Sequence, residues 1–148
     1  MTPDQIFSIV NPLAALAWLL LIVVPRRAAI VTSLVVPLIF AALYAALIAG
    51  NWGGHDGGFS TLAEVGRLFA NRWLLLAGWV HYLAFDLFIG AWETRDAMAR
   101  RVPRLLLAPC LVMTFMLGPI GLLGYHLVRA RAHQPLDGPI LAPVTKAD

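Results

Sequence analysis

Four long apolar runs fill most of this chain, and they leave it few ways to fold. A helical crossing of a bilayer takes roughly 20 mainly apolar residues, and runs at 6–24, 28–49, 73–92 and 105–128 meet that length. None alternates with a period of two, so they are read as helices and not as strands of a barrel. The composition agrees: hydrophobic residues make up 60% and charged residues 13%, and mean hydropathy is +0.78. A soluble core built from 148 residues cannot bury so much apolar surface, so lipid must take it up. The expected fold class is therefore all-α, an integral membrane bundle of four transmembrane helices forming one domain over residues 1–132. Residues 133–148 carry three prolines and are expected to form a disordered tail.

The connections are unequal. Pro25-Arg26-Arg27 makes a tight turn between the first two runs, and Arg95, Arg100, Arg101 and Arg104 crowd the link between the last two. The middle connection is the longest. Its glycine-rich part, 53–58, reads as loop. Ser60 to Glu64 then has the form of a helix cap, and Leu62, Val65, Leu68 and Phe69 follow at helical spacing. That pattern predicts a short amphipathic helix at the membrane surface between the second and third spans. Six arginines (26, 27, 95, 100, 101, 104) lie on the side of the short loops, against Arg67, Arg72, Arg129, Arg131 and Lys146 on the other. The positive-inside rule then sets both termini in the periplasm of a bacterium, with the bundle in the inner membrane. Met1–Gln5 holds an acid and no base, unlike a targeting segment, so the chain is expected in its mature form. The net charge of +3 comes from arginines that punctuate membrane loops, which argues against a nucleic-acid partner. Cys110, the single cysteine, is read as a packed thiol without a disulfide.

The third run contains His81, Asp86 and Glu93. At about 100° per residue, Tyr82, Asp86 and Glu93 share one face, with Gly78 beside them. His81 falls on the neighbouring stripe with Phe85, Phe88 and Trp92. A charge at mid-membrane costs about 2.5–3.5 kcal/mol or more, so the polar face is expected to look into the bundle. Glu93 sits late enough in the run to reach the headgroups as an interfacial salt-bridge partner beside Arg95 and Asp96. His81 and Asp86 lie deep. A buried histidine is often only a hydrogen-bonded core residue, but a buried carboxylate must pair, hold a proton or act. Asn11 and Tyr44 are expected near the depth of His81, Thr114 level with Asp86, and Tyr125 and His126 at the mouth. Gly118-Pro119 should kink the fourth helix and expose carbonyls; a plain proline kink is the simpler alternative. Together these features predict a polar-lined, otherwise greasy pocket whose guest is long and apolar, with a few oxygens. His55, His81, Asp86 and His126 are suitable metal ligands but lack a tight ligand spacing, so no metal is predicted. Motifs for a nucleophile elbow, a phosphate loop or haem attachment are missing from the sequence.

The run "GWVHYLAFDLFIGAWETRDA", the turn "RRVPR" and the stretch "PCLVMTFMLGPIGLLGYHLVR" resemble the abscisic-acid-deficient-4-like family. The resemblance extends from about Ile6 to Arg129. It is most specific at His81, Asp86, Glu93, Arg95, Asp96, Gly118, Pro119, Gly121, Tyr125 and His126. Plant members are four-span plastid proteins required to form neoxanthin from violaxanthin, and bacteria carry short relatives. The resemblance implies a carotenoid, xanthophyll or similar isoprenoid as bound guest, and a non-redox isomerisation that opens an epoxide to an allenic alcohol. That reaction needs an acid at the epoxide oxygen and a base at carbon, roles expected of Asp86 and His81 respectively. Asn11, Tyr44, Tyr82, Glu93, Thr114, Tyr125 and His126 are the expected substrate-binding residues. Two other readings stand beside it. One is a non-catalytic pigment binder, as a homo-oligomer or inside a larger photosynthetic pigment–protein complex; the other is a lipid or sterol isomerase or hydrolase.

Overall fold

The computed structural model describes residues 1–24, 30–53 and 56–131; the Arg26-Arg27 turn, His55 and the expected tail lie outside them. Among the described residues every regular element is a helix. Three are long and apolar enough to cross a membrane: α1 (Pro3–Val23), α2 (Val31–Asn51) and α4 (Arg72–Ala99). The short α3 (Leu62–Ala70) precedes α4, and α5 (Arg104–Leu117) and α6 (Pro119–Arg131) follow it.

Local sequence explains the helix ends. Thr2 caps α1 in a reciprocal box with Gln5. The first turn of α2, Val31–Val35, is a widened π turn that carries the ladder past Pro37, which has no N–H to contribute. The amphipathic helix forms where expected: the Glu64 N–H donates to the Thr61 hydroxyl at 3.2 Å, and the Ser60 N–H donates to the Glu64 carboxylate at 3.1 Å. The preceding loop folds down on α3, with Gly57 so close to Leu68 that a side chain there would strike its backbone.

The long α4 forms the centre of the bundle. Asp4–Arg72, Asn11–Trp79 and Trp18–Gly90 follow one another down its seam with α1, so those two helices run parallel. On its other flank, Tyr44 meets His81 while Ser33 and Leu34 face Phe85 and Phe88, so α2 runs antiparallel. Gly90 permits the α1 contact, since a Cβ there would collide with the Trp18 ring. Small residues let membrane helices approach closely enough for dispersion to hold them.

The run 105–128 is not the single continuous helix expected from its length. Gly118 takes φ +51, a backbone conformation that suits glycine, and the chain reverses there. Pro119 opens α6, where a missing N–H is no loss. The returning helix retraces α5: Gly121 is pressed against the Thr114 backbone, and Gly124 lies beside Met113 and Cys110. At its far end Tyr125 and Arg129 reach Asp96, close to where α5 leaves α4. The two legs form a helical hairpin whose apex, Gly118, lies against Asp86 in the middle of α4. The expected kink is in the right place, but it is a complete turn back.

Register within the hairpin is directly testable. A Cβ at position 124 lies 4.0 Å from the Cys110 sulfur, whereas one continuous helix would hold the two positions about 21 Å apart, far outside disulfide reach. Mild oxidation of the full-length Gly124→Cys variant should therefore give an intramolecular disulfide, seen as loss of both free thiols and of two hydrogens in mass. Persistence of both thiols would contradict the hairpin.

Candidate functional site

Reversing the chain at Gly118 leaves a polar junction inside the bundle. Pro119 has no N–H to offer the Phe115 carbonyl four residues back. The Tyr82 hydroxyl donates to that carbonyl at 3.0 Å and replaces the missing bond. The Gly118 N–H closes the end of α5 on the Thr114 carbonyl at 2.9 Å. Asp86, one turn beyond Tyr82, faces the apex: its carboxylate oxygens lie 3.2 and 3.3 Å from where a Gly118 Cβ would stand. Asp86 Oδ2 is buried and receives no hydrogen bond among the described residues. The carboxylate adjoins the first residues of α6, the end of a helix whose dipole favours negative charge.

A groove opens beside Tyr82. It encloses about 430 Å³ between α1, α4 and the hairpin, lined by Asn11, Trp79, Tyr82, Leu83, Phe115 and Met116 among others. The Trp79 indole N–H donates to Asn11 Oδ1 at 2.7 Å. A second groove of about 280 Å³ shares Trp79 and continues along the seam to the exposed ion pair of Asp4 and Arg72. From Arg72 to Tyr82 the combined trough spans about 15 Å of helix. Its walls are apolar, and its polar groups are concentrated at the two ends.

The other expected site residues are dispersed. His81 is exposed on a different face of α4. Its ring stacks obliquely on Phe85 at 4.6 Å and approaches Tyr44 at 5.4 Å, within a crevice of about 150 Å³ that also includes Trp52, Phe59 and Phe69. The expected acid/base pair of Asp86 and His81 is therefore not assembled. The 140° between them on the helix, at about 100° per residue, is enough to separate their surroundings. Glu93 is not interfacial either: it is fully buried. The Thr114 hydroxyl lies 3.0 Å from both its carboxylate oxygens. Thr114 consequently sits beside Glu93 instead of level with Asp86, because α4 runs on to Ala99 and α5 starts back only at Arg104; the reversal at Gly118 shifts every residue after it.

Tyr125 and His126 belong to a third cluster, at the end of α4. Asp96 accepts from Tyr125 at 2.7 Å and from Arg100 at 3.0 Å, and Arg129 pairs with it at 2.9 Å. The Arg129 guanidinium lies 5.6 Å over the Trp92 ring, against which His126 stacks. Sequence reasoning took Asp96 as a headgroup anchor and missed this ring of partners. It also missed Trp79, whose bond to Asn11 builds the trough. No set of three metal-ligating side chains gathers among the described residues; His81, Asp86 and His126 occupy three separate surroundings.

A family model described as ABA DEFICIENT 4-like matches residues 5–125, from α1 into α6, including Asn11, Tyr82, Asp86 and the hairpin apex. No curated protein matches the chain, and no solved structure does.

The Glu93–Thr114 contact should be a principal fastening of the hairpin to α4. Thr114→Val keeps the shape but removes the one side-chain donor to this buried carboxylate among the described residues, a change expected to cost about 1–3 kcal/mol. Thermal unfolding in mild detergent should show a clear fall in Tm for Thr114→Val and near recovery for Thr114→Ser. Equal stability of all three proteins would remove the contact from the account.

Proposed function

This chain belongs to the ABA DEFICIENT 4-like family, and on that premise we propose that it is a membrane protein holding a carotenoid, xanthophyll or similar long isoprenoid in the trough along α1, α4 and the hairpin. The observation that carries the reading is the polarity of the trough. Its length is lined by Phe7, Leu75, Leu76, Trp79 and Leu83, and its inner end presents Asn11 and Tyr82 beside the Phe115 carbonyl. An apolar chain with an oxygenated end group matches that distribution, because each polar atom of the guest then meets a partner and no other part needs one. The open side of the trough faces lipid, where Trp79 and Phe7 are exposed, so a guest can enter sideways from the bilayer. The membrane we assign is the inner membrane of a bacterium.

The same end of the trough suits acid/base chemistry. Opening an epoxide to an allenic alcohol moves no electrons to or from an external carrier. It requires one proton delivered to oxygen and one removed from carbon. Tyr82 supplies a hydroxyl proton and Asp86 a carboxylate that can accept one. The two lie one turn apart on α4 and face the same hairpin apex. Tyr82 thereby takes the place of His81 in the expected pair. A non-catalytic pigment-binding role, alone or within a larger pigment–protein complex, is favoured by a different observation. A wholly apolar crevice of about 240 Å³ runs between α2 and α4 past Leu34, Leu38, Phe85 and Phe88, and it suits a pigment without reactive groups.

Purification in mild detergent from a carotenoid-producing host should yield a bound isoprenoid, visible by absorption and identified after extraction. Trp79→Ala should lower its occupancy. Asp86→Asn should retain it while slowing conversion by about 100-fold or more, read as altered pigment profiles in expressing cells, whereas Tyr82→Phe, which also removes the bond to the Phe115 carbonyl, should lower both occupancy and conversion. Bound pigment with an unchanged profile in all variants would leave a binder and no enzyme. If no isoprenoid copurifies and expression alters no pigment, the reading fails.

A further inference from the structure

Charge is distributed very unequally between the two ends of the bundle. Arg95, Arg100, Arg101, Arg104, Arg129 and Arg131 all lie where α4 finishes and both legs of the hairpin end. Asp96 is the one acidic residue among the described residues at that end, and Arg100 and Arg129 already hold it. Arg95, Arg101 and Arg104 are exposed. The opposite end carries Arg67 and Arg72 together with Asp4, Asp56 and Glu64, and Arg72 is paired with Asp4.

Depth points the same way. The hairpin legs contain 14 and 13 residues, so each rises about 20 Å, short of the roughly 30 Å of hydrocarbon that a crossing requires. Their apex meets Asp86, halfway along the 28 residues of α4. Irregular backbone at that depth is tolerated only when it is enclosed by protein. Gly118 is buried, and Tyr82 bonds the carbonyl that Pro119 leaves open.

We infer that α5 and α6 form a re-entrant hairpin, that the chain crosses the membrane three times, and that the arginine-rich end is the surface lying against the anionic headgroups of the cytoplasmic leaflet. Basic residues in short loops are retained on that side, and acidic lipids attract them there. The hairpin reverses the sequence-based arithmetic. With a fourth crossing, Arg129 and Arg131 would fall at the far end and nearly cancel the asymmetry; folded back, they reinforce it. Arg26 and Arg27, outside the described residues, stand in the sequence between the end of α1 and the start of α2, which point the same way. The start of α1 and the end of α6 then lie on opposite sides of the membrane, replacing the expectation that both termini are periplasmic.

Single cysteines in a Cys110→Ala background test this in the full-length protein, using a membrane-impermeant maleimide on intact bacterial cells. Ser60→Cys should react in intact cells. Ala99→Cys and Ala130→Cys should react only after permeabilisation, with at least a tenfold rise in labelling. Labelling of Ala130→Cys together with Ser60→Cys would restore a fourth crossing and overturn the proposal, and so would the fully inverted pattern. A second measurement reads the headgroups. Phosphatidylglycerol added to the detergent-purified protein should raise its Tm more than phosphatidylcholine does, and the R95Q/R101Q/R104Q variant should lose that difference. Equal effects of the two lipids on the unmodified protein would overturn the headgroup contact.

Discussion

A backbone carbonyl or N–H surrounded by hydrocarbon has no water to turn to, and this requirement governs the lower half of the bundle. A helix meets it along its length but not at its ends. Reversing the chain at Gly118 places two helix ends inside the protein at once. The structure meets that demand with a few specific groups: a glycine at φ +51, a proline at the first position of α6, and the Tyr82 hydroxyl on the Phe115 carbonyl. The apex can exist only where α4 offers such a partner. Its position then decides the wall of the trough, the surroundings of Asp86 and the reach of Arg129 to Asp96.

The polar residues of α4 divide the work by depth. Tyr82 and Asp86 serve the apex, Glu93 holds the middle of the hairpin through Thr114, and Asp96 secures its open end through Tyr125 and Arg129. A charge inside a membrane is costly unless it is paired or lies in a polar cavity, and Glu93 and Asp96 are each occupied by neighbours. Asp86 stands apart, with one buried oxygen that receives no hydrogen bond among the described residues. The pattern separates Glu93 and Asp96, which hold the hairpin, from Asp86, the acid to which the proposed function gives chemistry.

Much of this was legible in the residues themselves. The apolar lengths of α1, α2 and α4, the cap at Thr61 and the face shared by Tyr82, Asp86 and Glu93 all follow from composition and helical geometry. The hairpin did not, because hydropathy measures how apolar a run is and says nothing about its direction. The 24 residues from 105 to 128 are long enough to cross, and reading them as one helix put Tyr125 and His126 at the end opposite to Asp96, which Tyr125 reaches. Signals were present in hindsight: Gly118 stands at the turn, Gly121 and Gly124 lie three apart on one side of α6, and arginines close both legs. His81 was misjudged for another reason. Depth along a helix does not fix the angle around it, and about 140° suffices to take the ring from the bundle interior to an exposed aromatic crevice.

The hairpin also constrains how the protein is made. Neither leg is stable in lipid alone, because α5 would present its terminal carbonyls to hydrocarbon and α6 would arrive with nothing to pack its glycine-bearing face. Both legs must therefore partition together, and they need α4 already in place to receive the apex. On the re-entrant arrangement we infer, α5 and α6 can leave the aqueous side only once synthesis has reached the end of α6. On that arrangement, insertion is sequential for α1, α2 and α4 and concerted for the 28 described residues from Arg104 to Arg131.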